Sequence, residues 1–157
     1  ISSAASDVYK RQVMASCALP GFCRPVKVGD RYYYDGGVAD SIPLHHAIEH
    51  GCTKMVVILS NPRDFVKKPE AHRPLYKHML HKYPKTIQSI DNRHINYQAS
   101  INLACRLEKE GYVFIFAPSR HMPLSTFSKD AALEQDLYDL GVADYEARAE
   151  ELKHFLN

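Results

Sequence analysis

A chain of 157 residues with 45% hydrophobic content suits one ordinary globular domain, or part of one, and is too short for two. Its formal net charge of +2, with no stretch in which basic and aromatic residues interleave, speaks against an obligate nucleic-acid binder. The longest apolar runs, Met55–Leu59 and Tyr112–Ala117, fall far short of the roughly 20 residues that a membrane-spanning helix requires.

The chain opens ISSAASDVYKRQ, without an initiating Met or the charged and apolar regions of a signal peptide. Residues 3–12 resemble a translated sequencing-adaptor scar, so residues 1–12 are set aside as artefactual and native sequence is taken to start near Val13. Helical residues run from Val13 to Leu19 and stop at Pro20 and Gly21, which do not continue a helix. Pro25–Val28 and Arg31–Tyr34 flank Gly29-Asp30, a two-residue turn, and predict a short hairpin whose second strand delivers Asp35. Beyond Gly36 and Gly37, Asp40 or Ser41 can cap a helix over Leu44–His50 that holds Pro43 in its first turn and ends at Gly51.

Lys54–Ser60 is a β-branched run with the pattern of a strand buried on both faces, and Tyr112–Ala117 repeats it. Between them a helical stretch spans roughly Leu75–Glu110, broken near Pro84, so the two strands can be parallel neighbours joined by a crossover. Lys129–Leu140 and Val142–Phe155 read as two amphipathic helices punctuated by Gly141. Alternating helices and buried strands predict an α/β fold.

Charge is uneven along the chain. Residues 61–85 hold Arg63, Lys67, Lys68, Arg73, Lys77, Lys82 and Lys85 against Asp64 and Glu70, whereas residues 129–157 hold three basic residues against eight acids. Such faces are either simply solvated or, for the basic one, able to attract anionic headgroups. Cys17, Cys23, Cys52 and Cys105 form no CxxC pair and read as buried reduced thiols of a cytosolic protein. His78 and His81 stand three apart and His45 and His46 are adjacent, but there is no HExxH, and adjacent helical side chains diverge by about 100°. No metal is expected.

The chain has no G-x-S-x-G elbow and no glycine-rich phosphate loop of the dinucleotide or P-loop type. An aspartate-nucleophile phosphotransferase would place an acid two residues after the first, where Gly37 stands. Asp35 has a more specific context: a strand aims it, Gly36 and Gly37 permit positive φ or close backbone approach, and a helix follows. Its carboxylate could close a turn, or it could activate a hydroxyl nucleophile, which is weak without an adjacent base.

MASCALPGFCRPV, YYYDGGVADSIPLHHAIEHG and KMVVILSNP together resemble the C-terminal half of a bacterial patatin-like phospholipase domain, with the resemblance densest from Val13 to about Pro62. The family's Ala-Ser-x-Ala-x-Pro element is matched by Ala15, Ser16, Ala18 and Pro20, its DG[GA] motif by Asp35, Gly36 and Gly37, and the following proline by Pro43. The resemblance implies a three-layer sandwich around a mostly parallel sheet, of which residues 13–157 form the C-terminal part. It implies a lipid acyl hydrolase, a phospholipase A or lipid esterase, in which Asp35 accepts the proton of an upstream G-x-S-x-G serine without any cofactor. That serine and its oxyanion loop do not occur in this chain, so the chain alone is expected to be inactive and to leave apolar surface bare. The alternative is a non-catalytic lipid- or protein-binding module on the same scaffold. Implied partners are a lipid or acyl-ester substrate and, at the basic face, an anionic membrane surface, in a cytoplasmic or membrane-peripheral setting.

Overall fold

A computed structural model describes residues 3–123 and 130–157. In chain order it contains α1 (Ser3–Ser16), β1 (Val26–Val28), β2 (Arg31–Tyr33), a 3-10 turn (Gly36–Val38), α2 (Leu44–Glu49), β3 (Met55–Ile58), α3 (Arg73–Met79), α4 (Pro84–Lys109), β4 (Val113–Phe116) and α5 (Ala131–Leu156). Helices thus combine with an antiparallel pair, β1 and β2, and a parallel pair, β3 and β4. The α/β class stands, with a small parallel sheet.

The residues fall into two compact units, one built from the chain up to Ile42 together with Lys67–Ala99, the other from Pro43–Val66 and Ser100–Asn157. In the first unit the predicted hairpin forms in the register Val26 to Tyr33 and Val28 to Arg31. Gly29 takes φ of +59°, a backbone that glycine adopts at no steric cost. The first helix is longer and earlier than Val13–Leu19. It spans residues set aside as artefactual, and Arg11 donates to the Lys27 carbonyl at 3.4 Å. It ends at Ser16, after which Cys17 and Ala18 make tight turns back to Met14 O and Ala15 O, and Leu19, which precedes Pro20, is itself disfavoured in the helical region. The helical stretch after the basic loop breaks as expected, with α4 starting at Pro84, a residue that needs no amide partner in a first turn. Val38, Leu80 and Ile90 form a core flanked by Tyr34, Tyr76, Tyr83 and Ile87. Tyr34 and Tyr83 meet edge to face at 5.6 Å, a geometry favoured by the ring quadrupoles.

In the second unit β3 and β4 pair in parallel, Met55 opposite Val113 and Ile58 opposite Phe116. Met55 N donates to Tyr112 O at 2.9 Å and Leu59 N to Phe116 O at 2.8 Å. Because the ladder uses alternate residues, the backbone groups of Val56 and Ile58 point away from β4, and those of Val113 and Ile115 away from β3. Val113, Phe114 and Ile115 are buried, and α5 packs on this strand. The expectation of a β3 buried on both faces is corrected: Val57 and Leu59 are buried, but Val56 and Ile58 are 41% and 79% exposed. Alternate side chains of a strand point to opposite faces, and among the described residues of this unit only the Val57 and Leu59 face of β3 is buried. Val56, Ile58 and Phe116 instead border an apolar cleft of about 430 Å³, closed on its other side by Leu137, Leu140 and Leu152 of α5.

Two further expectations are corrected. The chain from Ala131 to Leu156 is one helix, not two. A lone glycine costs about 1 kcal/mol relative to alanine within a helix, too little to break a run of strong helix formers. Lys129, the expected first residue, lies outside the described residues, and Asp130 caps the helix by accepting from the amides of Ala132 and Leu133. Cys17, Cys23 and Cys52 are exposed rather than buried.

Candidate active site

The strand β2 stops at Tyr33 and Tyr34 turns into the core, where burial, with Tyr83 and Cys23 nearby, raises its phenol above the ordinary range. Asp35 follows, half-buried, with φ −51° and ψ 125°. Its amide donates to Ala18 O at 3.0 Å, and its carbonyl accepts from Val38 N at 3.2 Å. Its Oδ1 accepts from Gly37 N at 2.8 Å, which makes the aspartate the N-cap of the 3-10 turn. The other carboxylate oxygen makes no hydrogen bond among the described residues. A carboxylate held by its own turn through one oxygen keeps its second oxygen able to accept a hydrogen bond from another group.

The two glycines differ in what they do. Neither takes positive φ, so of the two alternatives open to this pair, positive φ or close approach, only close approach is left. A Cβ on Gly37 would stand 3.2 Å from Asp35 Oδ1, whereas one on Gly36 would meet nothing within 4 Å. Close approach is therefore the role of Gly37 alone.

Asp40 and Ser41 do not cap α2, whose N-cap is Pro43. Ser41 Oγ reaches back to Gly37 O at 2.7 Å, and Asp40 Oδ1 accepts from Ile42 N at 3.2 Å. Arg93 of α4 adds a contact the sequence did not single out. Its Nε donates to Gly37 O at 3.0 Å, and a terminal guanidinium nitrogen reaches Glu70 at 3.1 Å. Its only signal was position, three residues beyond the buried Ile90 and so on a neighbouring part of the helix face. Both lone pairs of one carbonyl are thus occupied, which fixes the turn that carries Asp35.

No serine, threonine or cysteine side chain bonds the Asp35 carboxylate among the described residues. Of the histidines singled out in sequence, His81 Nδ1 lies 2.9 Å from His78 O, and the carbonyl of His46, neighbour of His45, lies 2.9 Å from His50 Nδ1. Among the described residues no three metal-ligating side chains converge, and no helix is long and apolar enough to cross a membrane.

Comparison with known proteins separates the chain into segments. Residues 9–48, which carry the Asp35 turn, match the model of the patatin-like phospholipase family. Residues 83–157 match a different model, that of a domain of unknown function. The patatin-like match therefore begins within the segment set aside as artefactual and covers less of the chain than residues 13–157. An uncharacterized protein of Escherichia coli strain K12, YjjU, is 37% identical over 59 residues, which are 37% of this chain and 16% of that protein. The chain thus aligns with only a small part of the curated relative's length. No solved structure matches.

Proposed function

We propose that this chain carries the base half of a lipid acyl-hydrolase site, with Asp35 as proton acceptor. The observation that carries this reading is the Asp35 turn itself, with one carboxylate oxygen fixed at 2.8 Å by Gly37 N and the other without a hydrogen bond among the described residues, in a segment that matches the patatin-like model. In this reading a serine outside these residues attacks the ester carbonyl carbon and passes its proton to Asp35. Asp35 then returns that proton to the departing alcohol, and water, activated by the same carboxylate, hydrolyses the acyl-serine. Backbone amides outside these residues stabilise the oxyanion. The β3–β4 pair belongs to a larger, mostly parallel sheet of a three-layer sandwich, and no cofactor enters the chemistry.

The test has two arms. Residues 1–157 alone should hydrolyse p-nitrophenyl butyrate no faster than buffer. A longer product of the gene, containing an upstream G-x-S-x-G, should lose on the order of 10⁴-fold or more in kcat on Asp35→Asn, as when a member of a catalytic unit is removed, with little change in melting temperature. Turnover by the short chain, or an active Asp35→Asn variant of the long one, would sink the reading.

A further inference from the structure

Adjacent His45 and His46 diverge around α2, whereas His50, four residues beyond His46, lies on the same side of the helix. The structure brings that second pair together. The His46 and His50 rings stand 4.1 Å apart between centroids, tilted by 50°, and both side chains are exposed. His50 is the C-cap residue of the helix, and its Nδ1 lies 2.9 Å from His46 O. A carbonyl only accepts, so Nδ1 carries the hydrogen and the lone pair of the neutral ring is left on Nε2. Among the described residues no hydrogen bond reaches His50 Nε2 or either ring nitrogen of His46. A ring whose one nitrogen donates to a backbone carbonyl while the other stays free has the support that metal-ligating histidines almost always have.

The other histidine pair shows that such support is not enough. His81 Nδ1 lies 2.9 Å from His78 O in the same way, but those rings are 6.5 Å apart. A metal bonded to each at about 2.0–2.1 Å could reach both only if the rings approached it from opposite sides. At the 4.1 Å of His46 and His50, the same bond lengths bring both nitrogens to one side of the ion, at an angle near that between adjacent corners of a square. Square-planar and tetragonal coordination is the preference of Ni(II) and Cu(II). A closed tetrahedral zinc site would need further protein ligands, and no three metal-ligating side chains converge among the described residues.

We infer that His46 and His50 form a two-histidine site for a divalent late transition-metal ion of the nickel and copper type, with water in the remaining positions. Histidines four apart on a helix are spaced to meet at one ion. The ion would clasp the last turn of a helix of only six residues, a length that is marginal in isolation, so binding and the order of that turn are linked. The site is separate from the acyl-hydrolase reading, which uses no metal, and stands or falls independently of it.

The test is calorimetric titration of the whole untagged chain with Ni(II) in a non-chelating buffer. Nickel is the probe because the exposed thiols of Cys17, Cys23 and Cys52 would compete for copper. One saturable site per chain should stand out as the tightest. His46→Gln and His50→Gln should each weaken it about tenfold or more, at least the loss that follows removal of a ligand's supporting partner. His45→Gln and His78→Gln should leave it as it was, and the circular dichroism of all four metal-free variants should match that of the unsubstituted chain. Saturating Ni(II) should also slow hydrogen exchange at the His50 amide, which donates to His46 O at 3.1 Å within the clasped turn, and His46→Gln should abolish that slowing. Absence of a saturable site, a site that survives either His46→Gln or His50→Gln, loss with His45→Gln or His78→Gln, or exchange at His50 indifferent to Ni(II) would each overturn the inference.

Discussion

Arginine closes backbone carbonyls in both units, and the two closures do different work. In the first unit, Gly37 O accepts from Arg93 and Ser41, which fixes a turn at the edge of a small core. In the second, Ile115 on β4 has both backbone groups taken by charged side chains. Its amide donates to Glu108 at 3.1 Å, and its carbonyl accepts from Arg63 at 3.0 Å and from Arg148 at 2.6 Å. Arg63 also grips Glu108 through two nitrogens, and Arg148 lies 4.4 Å from the Phe114 ring centroid. One carboxylate and two guanidinium groups thus take the places of a neighbouring strand's acceptor and donors. A turn needs its carbonyl held to keep one side chain aimed, whereas an outer strand with buried side chains needs its outward backbone groups satisfied to exist at all.

The comparison predicts unequal consequences. Glu108→Ala removes the acceptor of a part-buried amide and leaves Arg63 and Arg148 facing each other, so it should cost about 1–3 kcal/mol in urea unfolding near neutral pH. A loss under about 0.5 kcal/mol would show that water replaces the carboxylate freely. Acid should remove part of the same contribution. Hydrogen bonding from Arg63, opposed by desolvation and helped by the Ile115 amide, lowers the Glu108 carboxyl below its ordinary range. Its contribution is therefore complete above the unfolded value of about 4.3 and fades as pH falls through the depressed folded value. The drop in melting temperature below about pH 4 should be shallower in Glu108→Gln than in the unsubstituted chain. Equal slopes would assign acid sensitivity elsewhere. The smallest effect should follow Arg93→Ala, about 0.5–1.5 kcal/mol, because Ser41 still bonds Gly37 O. Hydrogen exchange at the Gly37 amide should quicken in that variant. Unchanged exchange there would mean that Asp35 and Ser41 hold the turn unaided.

Local signals were the legible ones. Gly29-Asp30 announced the hairpin, Pro84 the helix break, and two β-branched runs the parallel pair, because each rests on the φ preferences or patterning of a few adjacent residues. That Asp35 stands at a glycine-bearing turn was legible for the same reason, whereas the approach of Gly37 to its carboxylate was not, since the sequence left positive φ and close approach equally open for both glycines. Arg93 was not, since its partner is 56 residues away, and neither was the Glu108–Arg63–Arg148 group around Ile115. The uncovered face of β3 was misread because a run of apolar residues reports what a strand tolerates, not what lies above it. Gly141 reads locally as a boundary, but neighbours such as Leu140 and Ala143 favour continuation, a sum over a whole helix that one residue does not decide.

The treatment of Ile115 also gives the small parallel sheet a direction of growth. Beside β4, a new strand would have to displace two guanidinium groups and a carboxylate before forming its first backbone bond. Beside β3, the outward amides and carbonyls of Val56 and Ile58 have no such guard among the described residues. Any polypeptide that lengthens this sheet, whether from the same chain or another, would therefore join it from the β3 side.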